Sequence, residues 1–240
     1  VGESLSWFLT QTDKMVLNKE YESIVTNGLV MNLDAGFVSS YPKNGTTWYD
    51  LSSVANDGTL TNAPTFNSTN GGGILFDGTN DYINLSTNIQ SGFTQASYEI
   101  ICKPTSLPNN GNYFNLYIQE YSTWIALYTY NNSTFFGIDL HGGQSWFDNN
   151  GGYNTGAKTT STITNNTYYH LMFCWNGSSV SIYLNGNLQS TTSTLQAANG
   201  RSNVTSLAAG QSARNIGSRY NGGGNNWPGN IDVVTFYNRF

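Results

Sequence analysis

Charge is the scarcest property of this 240-residue chain: only 10% of its residues are charged, and lysine and arginine together number nine. The formal net charge is −5, so the chain has no cationic surface that would follow a phosphate backbone. It also has no apolar run that approaches the roughly 20 residues needed to cross a bilayer. We therefore expect neither a nucleic-acid partner nor membrane insertion.

Helix-forming patterns and cysteines are also scarce. Beyond about the first 25 residues, no stretch repeats apolar side chains at helical spacing between good helix formers, which predicts an all-β chain. The two cysteines, Cys102 and Cys174, are too few for a disulfide scaffold and have no neighbours at zinc-binding spacing. Each lies in a strand-like run, so we expect buried free thiols.

Groups that would support catalysis are few. The chain has only two histidines, His141 and His170, and neither has a recognisable nucleophile partner. His170 lies inside a strand-like run, where a structural role is the simpler interpretation. Glu99 and Glu120 stand alone, so the paired carboxylates of a glycosidase are missing. The sequence therefore predicts a protein that is not an enzyme.

What the chain has instead is 14% aromatic residues and 26 glycines. Short β-rich runs alternate with turn clusters from Gly28 onward, the spacing of a two-sheet sandwich. The clearest local signal is Asn185-Gly186, which supplies the two positive-φ residues of a type I′ hairpin turn. On the strand before it, Val180, Ile182 and Leu184 share one face, which we expect to be buried.

The first 26 residues differ from the rest because charge is concentrated there beside an apolar cluster, Trp7, Phe8 and Leu9. Two interpretations remain open. The segment is either an extra edge strand or an assembly arm that docks on a neighbouring subunit. We take residues 1–26 as an arm or connector and residues 27–240 as one domain.

Four segments carry a family resemblance. The run ILFDGTNDYINL (Ile74 to Leu85), the run from Thr164 to Gln189 and the closing run from Asn215 to Phe240 resemble, in order and spacing, the concanavalin A-like jelly rolls, which include laminin G-like and pentraxin domains. The resemblance implies an all-β, two-sheet antiparallel jelly-roll sandwich. Each motif alone is a glycine turn between strands, and the four together are specific for the fold rather than for a function.

The fourth segment, Asn27 to Leu60, is similar to the lead-in of laminin G-like domains in bacteriophage structural proteins. This resemblance implies a non-catalytic virion structural protein, a capsid, tail or fibre subunit for decoration or attachment. Its partners would be other virion subunits or identical copies, at the virion surface or outside the cell. The alternative is a secreted glycan-binding module or adhesin that recognises a cell-surface glycan.

Sugar binding on this fold would use aromatic faces together with amide and backbone groups. Two long loops, residues 141–156 and 217–229, carry candidates for such contacts: His141, Trp146, Tyr153, Tyr220 and Trp227. Two of these also have simpler interpretations. Trp227 precedes Pro228-Gly229, where the family often places a packing aromatic, and His141 opens a loop as an ordinary surface residue would.

Calcium is the cofactor that the family resemblance implies, and it needs six to eight oxygen ligands. The candidates are Asp77, Asn80, Asp81 and Asp232. The alternative is that Asp77, Asn80 and Asp81 only fix a turn through side-chain to backbone hydrogen bonds. Pentraxins also join the strands that correspond to those of Cys102 and Cys174, but here the cysteines are shifted in register, so we expect no disulfide.

Overall fold

The structure, a computed structural model, describes residues 24–87, 89–109, 112–119, 123–130, 133–140, 156–192, 206–207, 214–219 and 221–240. Within them the chain is all-β, with one short 3-10 turn at Thr69–Gly71. The strands are β1 Leu29–Asp34, β2 Thr47–Trp48, β3 Gly58–Thr61, β4 Thr65–Asn67, β5 Gly73–Asp77, β6 Tyr82–Leu85, β7 Ala96–Pro104, β8 Tyr113–Gln119, β9 Thr123–Tyr130, β10 Ser133–Leu140, β11 Gly156–Lys158, β12 Tyr169–Trp175, β13 Val180–Leu184, β14 Asn187–Thr192, β15 Arg214–Ile216 and β16 Pro228–Tyr237.

The described strands form two antiparallel sheets. Sheet 1 has the order β14-β13-β12-β7-β16-β5-β4, with β1 also paired to β16. Sheet 2 has the order β11-β10-β9-β8-β15-β6-β3-β2. Neighbours distant in sequence, such as β16 between β7 and β5, give the crossovers of a jelly roll, which confirms the predicted fold class.

The core lies between the two sheets and is built from alternate residues of each strand. In β12 the pattern is strict, with Leu171, Phe173 and Trp175 fully buried and the residues between them only half-buried. Trp48 and Trp175 have no exposed surface. At about 25 cal/mol per Å² of apolar surface removed from water, large side chains such as these contribute much of the stability of a sandwich.

The hairpin between β13 and β14 confirms the local prediction. Asn185 and Gly186 have φ of 50° and 78°, as a type I′ turn requires. Val180 and Ile182 are completely buried, and Leu184 is 6% exposed. The predicted face is therefore buried, although Ser181 on the other face is also buried, at 7% exposure.

Both cysteines are free, and the register of β7 with β12 explains why. Cys102 pairs with Tyr169, whereas Cys174 pairs with Ser97. Five residues of ladder separate them, about 16 Å at the rise of a strand, well beyond the reach of a disulfide. Cys102 is fully buried as expected, but Cys174 is only partly buried.

Two further predictions concern membrane insertion and the N-terminal arm. No helix in the described part of the chain is long and apolar enough to cross a membrane. Residues 1–23, with Trp7, Phe8 and Leu9, lie outside the described residues. The arm therefore stays a prediction.

Candidate functional site

The outer face of sheet 2 carries a row of aromatic positions that crosses three strands. In β10 and β9, Phe136 pairs with Leu127 and both are buried in the core. Because side chains alternate across a sheet, the neighbouring position Phe135 lies on the outer face. Phe135 pairs with Tyr128, which pairs in turn with Tyr113 of β8. We call the paired positions 135, 128 and 113 the aromatic row, and the side chains that the structure describes in it are Phe135 and Tyr113.

One end of the aromatic row borders a pocket lined mainly by hydroxyl groups. This pocket, of about 450 Å³, lies between Phe135 and the segment that follows β11, with Lys158 on its wall. The Lys158 ammonium lies 4.8 Å from the centroid of the Phe135 ring, a cation–π contact. The remaining lining residues are Ser133, Thr134, Thr159, Thr160, Ser161 and Thr162.

The other end borders a pocket lined by side-chain amides. Tyr113 and four asparagines, Asn109, Asn112, Asn225 and Asn226, form part of its wall, and its volume is about 460 Å³. The Tyr113 hydroxyl accepts a hydrogen bond from Arg219 Nη1 at 2.8 Å. Phe135 and Tyr113, which border the two pockets, lie on strands two apart, about 10 Å at the usual strand spacing.

Asn225 and Asn226 form one wall of the amide-lined pocket, and nearby polar side chains hold them in place. Ser218 Oγ donates to Asn226 Oδ1 at 2.6 Å and accepts from the Gly222 amide at 3.0 Å. Asn225 has a φ of 54°, a left-handed conformation that asparagine tolerates better than most residues. Its carbonyl accepts from the backbone and the side chain of Asn115 at 2.9 and 3.2 Å. This wall is therefore preformed.

The structure places Trp227 in the core and not on this wall, which corrects its candidate role in sugar contact. Its side chain has no exposed surface, and its ring lies 6.5 Å from that of Phe136. The Gly217 carbonyl accepts from its backbone amide, so the chain folds inward at this point. His141, Trp146, Tyr153 and Tyr220 lie outside the described residues and stay predictions.

The candidate calcium residues fall into two separate places. Asp77 closes the turn between β5 and β6, where its Oδ1 accepts from the amides of Thr79 and Asn80 at 2.7 and 3.3 Å. Asp81 Oδ2 accepts from the Asp77 amide at 3.0 Å. The turn's hydrogen bonds lower the pKa of Asp77, as expected when donors stabilise a carboxylate. These contacts fit the turn interpretation.

Asp232 lies elsewhere, at a bulge of β16 where the pairing with β7 shifts register between Ile231 and Val233. It is 3% exposed, and neither carboxylate oxygen has a hydrogen-bond partner among the described residues. Burial raises its pKa to about 6, although the Asn70 side chain, the Lys103 charge and the Tyr168 hydroxyl offset part of that effect. No group of three or more His, Cys, Asp or Glu side chains suited to a metal occurs in the part of the chain that the structure describes.

His170 lies on the outer face of sheet 1, where its Nε2 is 2.8 Å from Glu99 Oε1. The Glu99 hydrogen bond raises the pKa of His170 against the opposing effect of burial. The two residues sit on adjacent strands, diagonal to each other in the register of β7 and β12. This satisfied pair agrees with the structural role predicted for His170.

Sequence reasoning did not single out Phe135 or Tyr113. Phe135 and Phe136 are adjacent, so alternation alone does not say which of the two faces the core. The available signal was weak: three aromatic-rich strands in succession, β8 to β10. Only the pairing of these strands brings Phe135, Tyr128 and Tyr113 into one row.

Among solved structures, the chain is similar to domain 4 of AbnA, a GH43 extracellular arabinanase from Geobacillus stearothermophilus, in complex with arabinotriose. The TM-score is 0.60 at 16% identity, over 87% of this chain and 91% of that domain. It is also similar to the binding domain of botulinum neurotoxin serotype D, with TM-score 0.57 at 14% identity over 88% of this chain and 48% of the other.

A third similar structure is Trypanosoma rangeli sialidase in complex with the inhibitor DANA, with TM-score 0.57 at 14% identity over 90% of this chain. The present chain spans 31% of that sialidase. Similarity at this level of identity shows a common fold. No curated protein sequence matches the chain.

A family model described as the concanavalin A-like lectin/glucanases superfamily, of the laminin G type, matches residues 77–240. The match includes most of β5 to β16 as the structure defines them, and so contains all of the aromatic row and both candidate calcium regions. It confirms the concanavalin A-like resemblance, whereas the lead-in segment Asn27 to Leu60 lies outside the match. The chain belongs to the concanavalin A-like lectin/glucanase superfamily.

Proposed function

We propose that this lectin-like domain binds a carbohydrate on the outer face of sheet 2, across the aromatic row. The observation that carries the proposal is the aromatic row itself, flanked by one hydroxyl-lined and one amide-lined pocket. Sugar rings present a C–H face that packs on aromatic rings, and their hydroxyls need donors and acceptors at the edges. Tyr113 is partly exposed and offers such a face, whereas Phe135 offers one only when Lys158 moves.

The distance between the strands of Phe135 and Tyr113 favours an oligosaccharide over a single sugar. A ligand that reached from the Phe135 end to the Tyr113 end would span about 10 Å across the strands. The similar arabinanase domain was solved with a trisaccharide, arabinotriose. Phe135 is 6% exposed beneath Lys158, so the long, flexible Lys158 side chain would move aside or bond a sugar hydroxyl.

Binding without hydrolysis is the activity we propose, outside the cell. The described residues show Glu99 engaged with His170 on the opposite sheet, away from the aromatic row. The arabinanase that contains the similar domain is extracellular, which supports the same location here.

The test is a glycan array followed by calorimetric titration of the strongest ligand into variants. Tyr113→Ala and Phe135→Ala should each weaken binding by about 10-fold to 200-fold, the usual effect of an aromatic anchor of about 1–3 kcal/mol. Tyr183→Ala, which removes a half-buried tyrosine from the outer face of sheet 1, is the matched control and should leave the affinity unchanged. The proposal fails if no glycan binds, or if all three variants behave alike.

A second candidate is the virion decoration or attachment subunit that the lead-in segment implies. The specific observation in its favour is a set of exposed apolar side chains in that segment: Val38 at 63%, Tyr49 at 46% and Val54 at 52% exposure. Exposed apolar residues concentrated in one region often mark protein contacts. Identification of the chain in purified particles tests this candidate, and a uniformly monomeric protein with no particle association would contradict it.

A further inference from the structure

Exposed apolar side chains are concentrated at the start of the described chain. Seven of the nine large apolar side chains that are exposed in the described residues lie within residues 24–54. The other two are Leu188 and Phe240. Single exposed apolar residues are ordinary, whereas a concentration of them in one region marks a contact surface. The seven are Ile24, Val25, Phe37, Val38, Tyr49, Leu51 and Val54.

The segment from Trp48 to Leu51 directs two of these side chains outward. Trp48 is fully buried in the core, and the Asp50 carboxylate turns inward to accept from the Asn32 amide of β1 at 2.7 Å. Tyr49 and Leu51, which alternate with them, are exposed. The Leu51 amide donates to the Asn32 carbonyl at 2.9 Å. The segment therefore runs beside β1 with Tyr49 and Leu51 facing away from the core.

Two further exposed valines are held beside this segment. Ser40, two residues after Val38, accepts from the Tyr49 amide at 2.7 Å and donates its hydroxyl to the Tyr49 carbonyl at 2.6 Å. Val54 lies in a turn closed by Asp50, whose Oδ2 accepts from the amide two residues after that valine at 2.8 Å. We call this region the lead-in surface, and its exposed side chains are Val38, Tyr49, Leu51 and Val54.

The lead-in surface is preformed. The Asp50 carboxylate alone accepts four hydrogen bonds, from the Asn32, Ser52 and Asn56 amides and from the Ser52 hydroxyl. A surface that is already ordered loses little conformational entropy when a partner docks on it. Its occupant should therefore be an apolar segment within reach.

The apolar cluster Trp7-Phe8-Leu9 is within reach of the lead-in surface. The described part of the chain begins at Ile24, just before β1, and β1 runs beside this surface. Residues 10–23 can span at most about 50 Å, whereas β1 is only about 17 Å long. The chain therefore enters the domain at one end of the surface with ample length to return along it.

The tryptophan-bearing loop 141–156 is a less suitable occupant. It connects β10 to β11, at one edge of sheet 2, whereas the lead-in segment includes β2, at the opposite edge. The two edges are about 33 Å apart along the sheet. A loop of this length that returns to its own edge extends at most about 27 Å. Position in the fold thus favours the N-terminal cluster.

We propose that Trp7, Phe8 and Leu9 dock on the lead-in surface of the same chain. A short connection holds a segment at a millimolar effective concentration over a nearby site, which favours docking within one chain over docking on a second copy. The contact is separate from the aromatic row and does not depend on glycan binding. An assembly partner that used the lead-in surface would have to displace this segment.

The test is disulfide trapping in the full chain, in a Cys174→Ser background. Cys102 is fully buried, so the introduced cysteines react with each other. The test pair is Phe8→Cys with Val54→Cys. The control pair is Phe8→Cys with Leu188→Cys, because Leu188 is 56% exposed against 52% for Val54 but lies on β14, the far edge of sheet 1.

Under mild oxidation the test pair should form a disulfide within one chain at least about 10-fold faster than the control pair, because docking raises the effective concentration of the two thiols. Dilution of the protein should leave this rate unchanged. Trp7→Ser, added to the test pair, should lower the rate to that of the control. The proposal is overturned if the two pairs react at the same rate, if Trp7→Ser has no effect, or if the disulfide joins two chains.

Discussion

Two aspartates that the sequence offered as calcium ligands have opposite environments. Asp77 is exposed, and its carboxylate accepts backbone hydrogen bonds that close its own turn. Asp232 is buried, and neither of its oxygens has a partner among the described residues. The hydrogen bonds of Asp77 account for it as a structural residue, whereas a buried carboxylate without such bonds costs stability when it is ionised.

The largest expected effect comes from filling the space beside Asp232. Gly73→Ala should lower the free energy of unfolding by about 3 kcal/mol, because overpacking against a fixed neighbour costs this order of energy. Denaturant unfolding measures it. Gly224→Ala is the control, since a Cβ there meets no atom within 4 Å.

The double variant Gly73→Ala/Asp232→Ala sharpens this test. If the clash is with the Asp232 carboxylate, the second substitution should recover a large part of the loss, and the two effects will not add. Full additivity would show that Gly73 is required for another reason.

The next two predictions expect changes of opposite sign in the free energy of unfolding for Asp232 and Asp77 variants. In chelator at pH 7.5, Asp232→Asn should raise the free energy of unfolding by about 1–3 kcal/mol, because it removes a buried charge whose pKa is raised from its ordinary value to about 6. Chemical unfolding at fixed pH checks this. A large destabilisation in chelator would contradict the environment described for Asp232.

Asp77→Ala should instead lower the free energy of unfolding, and by a smaller amount. It removes the acceptor for the Thr79 and Asn80 amides, at a cost of about 1 kcal/mol, with or without Ca²⁺. The same unfolding experiment in both buffers measures it. A loss that appears only in the presence of Ca²⁺ would instead indicate that this turn binds the ion.

The smallest effect concerns the His170–Glu99 pair, which is neither buried nor without a partner. The raised pKa of His170 means that the charged pair stabilises the fold below about pH 6.5, the pKa of histidine in the unfolded chain. That contribution is lost as the pH rises through the folded-state pKa of His170. His170→Gln should remove this pH dependence, worth about 0.2–1 kcal/mol for a half-exposed pair. Identical stability profiles from pH 5 to 8 in both proteins would contradict it.

Local chemistry in the sequence was enough to predict much of the fold. Asn185-Gly186 forms the expected turn, and the alternation in β13 correctly identifies its buried face. The free cysteines follow from the register of two strands that the motifs had already aligned. The first two depend only on neighbours in sequence, whereas the cysteine register depends on the alignment of the motifs.

The site was harder to predict because it depends on contacts between distant segments. Trp227 lies in a glycine-rich loop that is typical of a surface, yet the fold turns it into the core against Phe136. The aromatic row depends on the pairing of three strands. Asp232, unlike Asp77, lies at a bulge and packs against Gly73, and nothing local in the sequence marks that bulge.

The most direct test of the proposed function is to map where a glycan binds by hydrogen exchange, with the strongest ligand from the array. We expect protection of backbone amides in β8 to β10 and in residues 156–162, around the aromatic row and its two pockets. Protection of amides only in the strands of sheet 1, or only in residues 141–155 with β8 to β10 unchanged, would contradict this binding site.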